Sequence, residues 1–238
     1  MLITGVSGEI GAHLAQHFLG AGWTVLGLDK IPPAEGPPGG LVFEQCDLTN
    51  APHAASVLEA LTATYGACDV VVNCAGKIAN APLVSLGPEG WNIGDGSLWA
   101  DVIGSNLTAA FVVTALTVRH MLEARKKGLI VHISSVCAAG NPGQSAYSAA
   151  KAGLNGFTLA LAKELGPLGI RVVGLAPGYF DTRSTRTHVR EAKLTKVIAA
   201  VPLKRLGGLD ELANAVDFII SNGYVHGTIV ELDGGLVI

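Results

Sequence analysis

Seven short apolar runs recur along this chain and alternate with segments that carry the spacing of amphipathic helices. The runs are rich in Val, Ile and Leu with little polar alternation, as in strands covered on both faces. Repeated strand–helix–strand units favour parallel pairing, because parallel strands need a crossover connection. The sequence therefore predicts an α/β fold, a doubly wound, parallel seven-stranded sheet with helices on both faces. The predicted strands are residues 2–4, 24–28, 41–44, 70–73, 129–134, 172–176 and 229–232, and the predicted helices are 10–19, 53–65, 100–123, 146–165, 186–200 and 209–221.

The chain length of 238 residues fits one large α/β domain and is short for two. No internal repeat or interdomain linker interrupts the alternation, so we predict a single domain over residues 1–238. The stretch 77–96 carries two prolines and several glycines and is predicted to be a long surface loop. Loops of that length in a compact domain are usually functional. We expect substrate loops at 77–96 and 179–200.

Composition narrows the classes of partner. Hydrophobic residues make up 49% of the chain and charged residues 15%, which predicts a large core and an apolar surface shared with other subunits, as in a homodimer or homotetramer. The net charge of −3 without a basic block indicates neither nucleic acid nor an anionic membrane. We expect no transmembrane helix and no signal peptide. The four cysteines lack a CxxC pair, which favours free thiols in a reducing cytoplasm, and the scattered histidines predict no metal site.

The first predicted strand runs into a glycine-rich turn, TGVSGEIG at residues 4–11, and a helix follows at once. Glycines at 5, 8 and 11 permit a tight turn and a close approach of the backbone to a pyrophosphate, while the helix N-terminus offers N–H donors and partial positive charge. A plain strand-to-helix turn is the alternative, but the position between first strand and first helix favours a dinucleotide. Glu9 must then point away from the phosphates.

Asp29 closes the second predicted strand. A carboxylate there accepts hydrogen bonds from both hydroxyls of an adenosine ribose and repels a 2′-phosphate. The glycine turn holds no Arg or Lys, and Lys30 is the only nearby cation in the sequence. The expected cofactor is therefore NAD rather than NADP, although a capping or loop aspartate is the alternative explanation for Asp29.

Tyr147 and Lys151 stand four residues apart on one predicted helix, so their side chains share a face. An ammonium group near a phenol favours its ionised form, which predicts a lowered pKa for Tyr147 and a role as general acid or base. A surface Tyr–Lys pair gives the same spacing by chance. The neighbouring motifs decide between the two.

Those motifs are VNCAG at 72–76, SNL at 105–107, ISS at 133–135, YSAAK at 147–151, PGYFDT at 177–182 and HGTIVELDGG at 226–235. Together with TGVSGEIG they make the chain resemble a short-chain dehydrogenase/reductase of the compact single-domain branch, over essentially its whole length. The resemblance implies a Rossmann-like fold. It also implies hydride transfer between the nicotinamide and a carbinol carbon.

The resemblance assigns roles by position. Tyr147 is implied as the acid/base, Lys151 as the group that tunes it and holds the nicotinamide ribose, and Ser135 as the donor to the substrate oxygen. Asn106 is implied to hold a water that links Lys151 to solvent. The implied cofactor-binding residues are Thr4, Gly5, Ser7, Gly8, Glu9, Ile10, Gly11, Asp29, Asp47, Leu48, Asn73, Ala75, Gly76, Tyr147, Lys151, Pro177, Gly178, Phe180 and Thr182. The expected substrate contacts are Ser135, Cys137, Gln144, Tyr147 and Tyr179, with Asn141 as a further candidate.

Two departures from the family pattern leave alternatives open. The glycine turn reads TGxxGxxG, which is closer to the extended, sugar-modifying branch of the family, although the chain lacks the length for that branch's second domain. Ser135 precedes Tyr147 by 12 residues, one fewer than usual, so Ser134 competes for the catalytic role. Strand alternation points only one of the two serines at the site. Ser135 is the preferred choice.

The leading functional hypothesis is an NAD-dependent alcohol dehydrogenase or ketone reductase that acts on a small secondary alcohol or ketone. A sugar-nucleotide epimerase or dehydratase that retains NAD is the second hypothesis. A dinucleotide sensor without catalytic activity is the third, but such relatives typically lose the Tyr or the Lys, and this chain keeps both. The sequence does not identify the substrate.

Overall fold

The structure, a computed structural model, describes residues 1–34, 36–188 and 191–237. A seven-stranded sheet forms its centre, with the strand order β3-β2-β1-β4-β7-β8-β9 and every neighbouring pair parallel. The strands of this sheet are β1 (Leu2–Thr4), β2 (Leu26–Asp29), β3 (Val42–Gln45), β4 (Val70–Asn73), β7 (Gly128–Ile133), β8 (Ile170–Pro177) and β9 (Ile229–Leu232), and a separate antiparallel pair consists of β5 (Val84–Gly87) and β6 (Gly90–Ile93). The predicted fold class is confirmed.

The helices connect successive strands and cover both faces of the sheet. Their bounds are α1 (Glu9–Gly20), α2 (Ala51–Tyr65), α3 (Gly96–Ile103), α4 (Ala109–Glu123), α5 (Ser145–Leu165), α6 (Arg183–His188), α7 (Glu191–Ala200) and α8 (Leu209–Ser221). One apolar cluster packs α1 and α8 against the sheet, and a second packs α2, α4 and α5 against its other face. The strand order reverses beside β1, where β2 lies on one side and β4 on the other. Ligands of open α/β sheets bind at that switch point.

Two predicted elements differ from the observed ones. The stretch 77–96, predicted as an irregular loop, contains the β5–β6 hairpin, in which Val84 pairs with Ile93 and Leu86 with Trp91. The described residues of the predicted helix 186–200 are helical, in α6 and α7, and the helical segment begins earlier than predicted, at Arg183; residues 189 and 190 of that prediction lie outside the described residues.

Helices α3 and α4 are joined by a π-helical turn, Gly104–Thr108, into one continuous helix of 28 residues. By length and composition alone this helix could cross a membrane, contrary to the expectation from the sequence. Half of its most apolar window is buried inside the fold, and a core helix meets the same criterion.

A buried polar chain connects β4, α4, β7 and α5 behind the sheet edge that carries the site. Asn73 Nδ2 donates to Thr114 Oγ1 over 2.9 Å, and Thr114 Oγ1 lies 3.3 Å from His132 Nε2. His132 Nδ1 lies 2.8 Å from Thr158 Oγ1, whose own proton goes to Leu154 O. These contacts fit a neutral His132 that donates from Nδ1 and accepts at Nε2. Burial, and secondarily the charge of Lys151, lowers the pKa of His132 to about 3.

This pKa predicts a pH-dependent stability. Below the usual histidine pKa of 6.5 the unfolded chain takes up a proton that the folded chain refuses until about pH 3. The free energy of unfolding therefore falls as the pH is lowered through that window, by about 1.4 kcal/mol per pH unit from this group. Urea denaturation between pH 6.5 and 4 measures how steeply the free energy of unfolding changes with pH. In His132→Asn this slope is expected to be smaller, by about 1.4 kcal/mol per pH unit, than in the exposed-site control His53→Asn. An imidazole of His132 that titrates above pH 5 by NMR contradicts this assignment.

Candidate active site

A cavity of about 550 Å³ opens at the carboxyl edge of the sheet. The glycine turn after β1 forms one wall, and the segments that follow β4, β7 and β8 form the others. This position at the switch point results from the parallel topology, because all these strands end at the same edge. The volume lies in the range of ligand sites.

Tyr147 and Lys151 lie on α5 and line this cavity. Both are buried, with 8% and 4% of their surface exposed. Lys151 Nζ donates a 2.8 Å hydrogen bond to Ile133 O at the end of β7 and lies 5.6 Å from the centre of the Tyr147 ring. The predicted pairing of the two side chains on one helix face is observed.

Burial dominates the titration of both groups. It raises the pKa of the Tyr147 hydroxyl, and a hydrogen bond with Ser135 opposes that rise. It also lowers the pKa of the Lys151 ammonium to about 8. The predicted lowering of the Tyr147 pKa by Lys151 was therefore wrong for this structure, because desolvation of the phenolate outweighs the nearby charge. At neutral pH Tyr147 carries its proton and can donate it.

The two serines of the ISS motif face opposite directions. Ser135 Oγ accepts from Cys137 N over 3.1 Å and hydrogen-bonds with Tyr147. Ser134 Oγ donates over 2.5 Å to Asn155 Oδ1 on α5. This geometry supports Ser135 as the serine that meets the substrate oxygen.

Asn106 lies in the π-helical turn between α3 and α4. Its Nδ2 donates to Lys77 O over 2.9 Å and to Val102 O over 3.0 Å, while its buried Oδ1 has no hydrogen-bond partner in the described part of the chain. A Cβ on Gly76 would come within 2.3 Å of that oxygen. Sequence reasoning identified Asn106 but not the π turn, a distortion that often marks functional sites. Asn106 Oδ1 is thus a buried acceptor near Lys151 that can still accept a hydrogen bond, as the predicted role of holding a water requires.

The glycine turn has two kinds of glycine. Gly5 adopts a φ of +74°, and a Cβ there would lie 2.8 Å from Ala75 N. A Cβ on Gly11 would lie 2.2 Å from Gly5 O, so the protein's own packing requires glycine at both positions. At Gly8 a Cβ would meet only Gly5 O at 3.4 Å, an ordinary contact, yet Gly8 lines the cavity. No side chain caps α1 there, so the turn and the helix N-terminus fit a pyrophosphate.

Asp29 lies at the rim of the cavity. Its carboxylate accepts from Ser7 N over 2.9 Å and from Ile31 N over 3.3 Å, which fixes its orientation. Lys30 pairs with Asp47 over 2.9 Å. Because Lys30 is paired with Asp47, its charge is directed away from the carboxylate of Asp29.

Glu9 links the glycine turn to the second substrate loop. Its Oε1 accepts a 3.0 Å hydrogen bond from the backbone N–H of Arg183, the first residue of α6. Phe180 and Thr182, which precede α6, also line the cavity.

Some predicted cofactor residues do not line the cavity, and three of them make other hydrogen bonds. Thr4 Oγ1 accepts from the amides of Cys74 and Ala75, which joins the ends of β1 and β4. Asn73 belongs to the polar chain with His132, and Ser7 supports Asp29 through its amide. The predicted cofactor residues outside the cavity lining are Thr4, Ser7, Asp47, Leu48 and Asn73, whereas the others line it.

The predicted substrate residues Cys137, Gln144 and Tyr179 line the far end of the cavity. Asn80 joins them from the loop 77–96, and its side chain accepts from Gln144 Nε2 over 2.7 Å. Sequence reasoning missed Asn80 because nothing in the loop's composition indicates a contact with a residue so distant in sequence. Within the described residues no cluster of His, Cys, Asp and Glu could hold a metal ion.

The chain is similar in sequence to a known family of enzymes. A family model described as short chain dehydrogenase matches residues 1–193. The 3-oxoacyl-acyl-carrier-protein reductase FabG of Thermotoga maritima is 37% identical over 248 residues, which cover 100% of this chain and 97% of that protein. The Escherichia coli protein of the same name is 35% identical over 245 residues, covering 99% and 96%.

A solved structure shares the fold. The ligand-free aldohexose dehydrogenase of Thermoplasma acidophilum superposes with a TM-score of 0.86 at 27% sequence identity, covering 99% of this chain and 92% of that one. The names of these relatives refer to different substrates, a 3-oxoacyl thioester and an aldohexose, so similarity alone does not select one.

The opposite directions of the serines predict opposite phenotypes. Ser135→Ala removes a hydrogen-bond donor beside Tyr147 and is expected to lower nicotinamide-linked turnover about 100-fold. Ser134→Ala, which removes a contact to Asn155, is expected to keep turnover within a few-fold and to lower the melting temperature instead. Steady-state kinetics and thermal melts of both variants check this, and the reverse pattern transfers the role to Ser134.

Proposed function

The chain belongs to the short-chain dehydrogenase family of nicotinamide-dependent oxidoreductases, and we propose that it interconverts a secondary alcohol and a ketone with NAD. The observation that carries the proposal is that one cavity is lined by Tyr147, Ser135, Lys151 and Asn106 together. Their hydrogen-bonding groups form a set that can polarise a carbonyl and move a proton.

In the proposed reduction, the carbonyl oxygen of the substrate accepts hydrogen bonds from Ser135 and Tyr147. As negative charge develops on that oxygen, Tyr147 transfers its proton. Lys151 stabilises the resulting phenolate. Asn106 Oδ1 binds a water that links Lys151 to solvent, and through this water a proton returns to the site. The bound nicotinamide supplies or accepts the hydride. Oxidation of the alcohol follows the same steps in reverse.

The choice of NAD rests on Asp29. The carboxylate lies at the rim of the cavity in an orientation fixed by two backbone amides. It is placed to accept ribose hydroxyls and to repel a 2′-phosphate. The glycine turn, the N-terminus of α1 and Gly76 would hold the rest of the dinucleotide.

A second candidate is reduction of a 3-oxoacyl thioester. It is supported by the two relatives that are 35% and 37% identical over the whole chain, which are 3-oxoacyl-acyl-carrier-protein reductases. The two candidates differ in substrate, not in the residues that move the proton. Kinetics with acetoacetyl-CoA and with simple ketones under the same conditions separate them.

We also propose that the enzyme works in the cytoplasm as an oligomer of identical chains. Four free cysteines fit a reducing compartment. Phe111 on α4 and Leu159 on α5 are 54% and 41% exposed, which supports pairing of these helices with a second copy.

The role of Tyr147 predicts a loss of chemistry without a loss of binding. Tyr147→Phe keeps the ring but removes the proton, and NADH formation from a secondary alcohol is expected to fall by at least about 100-fold. NAD affinity by calorimetry is expected to stay unchanged. The matched control Tyr65→Phe alters an exposed tyrosine on α2 and should retain full activity. Undiminished turnover in Tyr147→Phe removes this residue from the mechanism.

The role of Asp29 predicts a cofactor preference. The wild-type protein is expected to bind NAD more tightly than NADP. In Asp29→Ser the preference should fall about 10- to 100-fold, because a charged acceptor is lost and the repulsion of a 2′-phosphate is relieved. Asp69→Ser, at the opposite edge of the sheet, is the control. Tighter binding of NADP by the wild type overturns the assignment of NAD.

A further inference from the structure

Three amide side chains form a connected network beside the cavity. Gln144 Nε2 donates to Asn80 Oδ1 over 2.7 Å, and Asn141 Nδ2 donates to Gln144 Oε1 over 2.9 Å. Asn141 Nδ2 also lies 3.5 Å from Tyr179 OH and 3.6 Å from Cys137 Sγ. A backbone bond of 2.8 Å from Ala81 N to Gly143 O joins the two loops that carry this network.

The network retains hydrogen-bonding capacity toward the cavity. Asn80, Gln144 and Tyr179 line the cavity, whereas Asn141 lies behind them and fixes the orientation of Gln144 and Tyr179. After the internal bonds are formed, amide N–H groups of Asn80 and Gln144 remain as donors. Burial raises the pKa of Tyr179, so its hydroxyl remains protonated and can both donate and accept. Such a mixed set of donors and acceptors matches alcohol hydroxyls.

The amide network lies next to the reacting groups. Gln144 immediately precedes α5, three residues before Tyr147, and both residues line the cavity. Tyr179 and Cys137 are near enough to Tyr147 to influence its pKa. A substrate whose reacting oxygen meets Tyr147 therefore brings its neighbouring carbon atoms to the amide network.

The charges of the cavity favour a neutral substrate. Among the described lining residues, Lys77 and Lys151 are the cations. Lys77 is paired with Asp101, and Lys151 is bonded to Ile133 O. Both ammonium groups therefore already have a partner within the protein.

We propose that the amide network and Tyr179 form a subsite that selects an alcohol with a second, adjacent hydroxyl, in a neutral polyol or a free sugar. Gln144 and Tyr179 bind that second hydroxyl, and Asn141 is the positioning residue. The inference rests on the proposed alcohol–ketone chemistry and names its substrate class. A site built to bind a hydroxyl discriminates strongly against an analogue that lacks it, because the site's polar groups are then left unpaired.

The test uses a matched pair of substrates, trans-cyclohexane-1,2-diol and cyclohexanol, with an aldohexose as a third probe and NADH absorbance as the readout. The wild-type enzyme is expected to prefer the diol in kcat/KM by at least about tenfold. Gln144→Met is expected to reduce that ratio to near one, mainly through KM. Asn141→Ala is expected to reduce it partly, again through KM with little change in kcat for the diol. Gln16→Met, an exposed position on α1, should keep the wild-type ratio.

The outcomes separate the two levels of the proposal. An active enzyme that oxidises cyclohexanol as well as the diol overturns the polyol subsite but leaves the alcohol–ketone function intact. A higher kcat/KM for reduction of acetoacetyl-CoA than for oxidation of the diol also overturns it. If NAD binds but no alcohol is oxidised and no ketone is reduced, the proposed function fails as well. If circular dichroism shows that Gln144→Met does not fold, the subsite is still tested by two other results. These are the ratio of kcat/KM for the diol to that for cyclohexanol in the wild-type enzyme, and the change of that ratio in Asn141→Ala.

Discussion

The buried ammonium of Lys151 is the interaction around which the site is organised. Only 4% of this residue is exposed, and a charge so removed from water needs a partner. Ile133 O supplies it over 2.8 Å, from the point where β7 leaves the sheet. Because α5 must lie where Lys151 reaches this carbonyl, the same contact sets the position of Tyr147. Burial shifts the pKa values of the lysine and tyrosine in opposite directions, each toward its neutral form. The protonated phenol can then act as a proton donor at neutral pH.

Much of the fold could be predicted from apolar patterning, because strands buried on both faces appear in the sequence as uninterrupted apolar runs. Elements that are not buried in this way were missed. Strands β1, β4 and β9 have the predicted bounds, and the residues of β1 and β4 are buried throughout, so short uninterrupted Val/Ile/Leu runs marked them. The β5–β6 hairpin was missed because Pro82, Pro88 and the glycines indicated a loop. Its apolar residues Trp91 and Ile93 are 75% and 89% exposed, so they do not contribute the buried pattern on which the prediction relied.

The site residues could be predicted where chemistry is local in sequence and not where it depends on packing. Tyr147 and Lys151 share a helix, so their spacing indicated their contact. The pKa of Tyr147 depends on how much water the surrounding segments exclude, which no spacing reveals. Asn80 reaches Gln144 only because two loops meet, and Asn141 becomes informative only through the network that it orients.

Glu9 shows how the two halves of the cavity are joined. An acidic residue in the first turn of α1 interacts favourably with the helix dipole, but there it competes with any anion bound at the same helix end. Its hydrogen bond to the amide of Arg183 gives the carboxylate a second partner, at the start of α6. The glycine turn and the substrate loop are thereby linked through a single side chain. The hydrogen bond thereby fixes the start of α6 relative to the N-terminus of α1, beside the cavity that Glu9 lines.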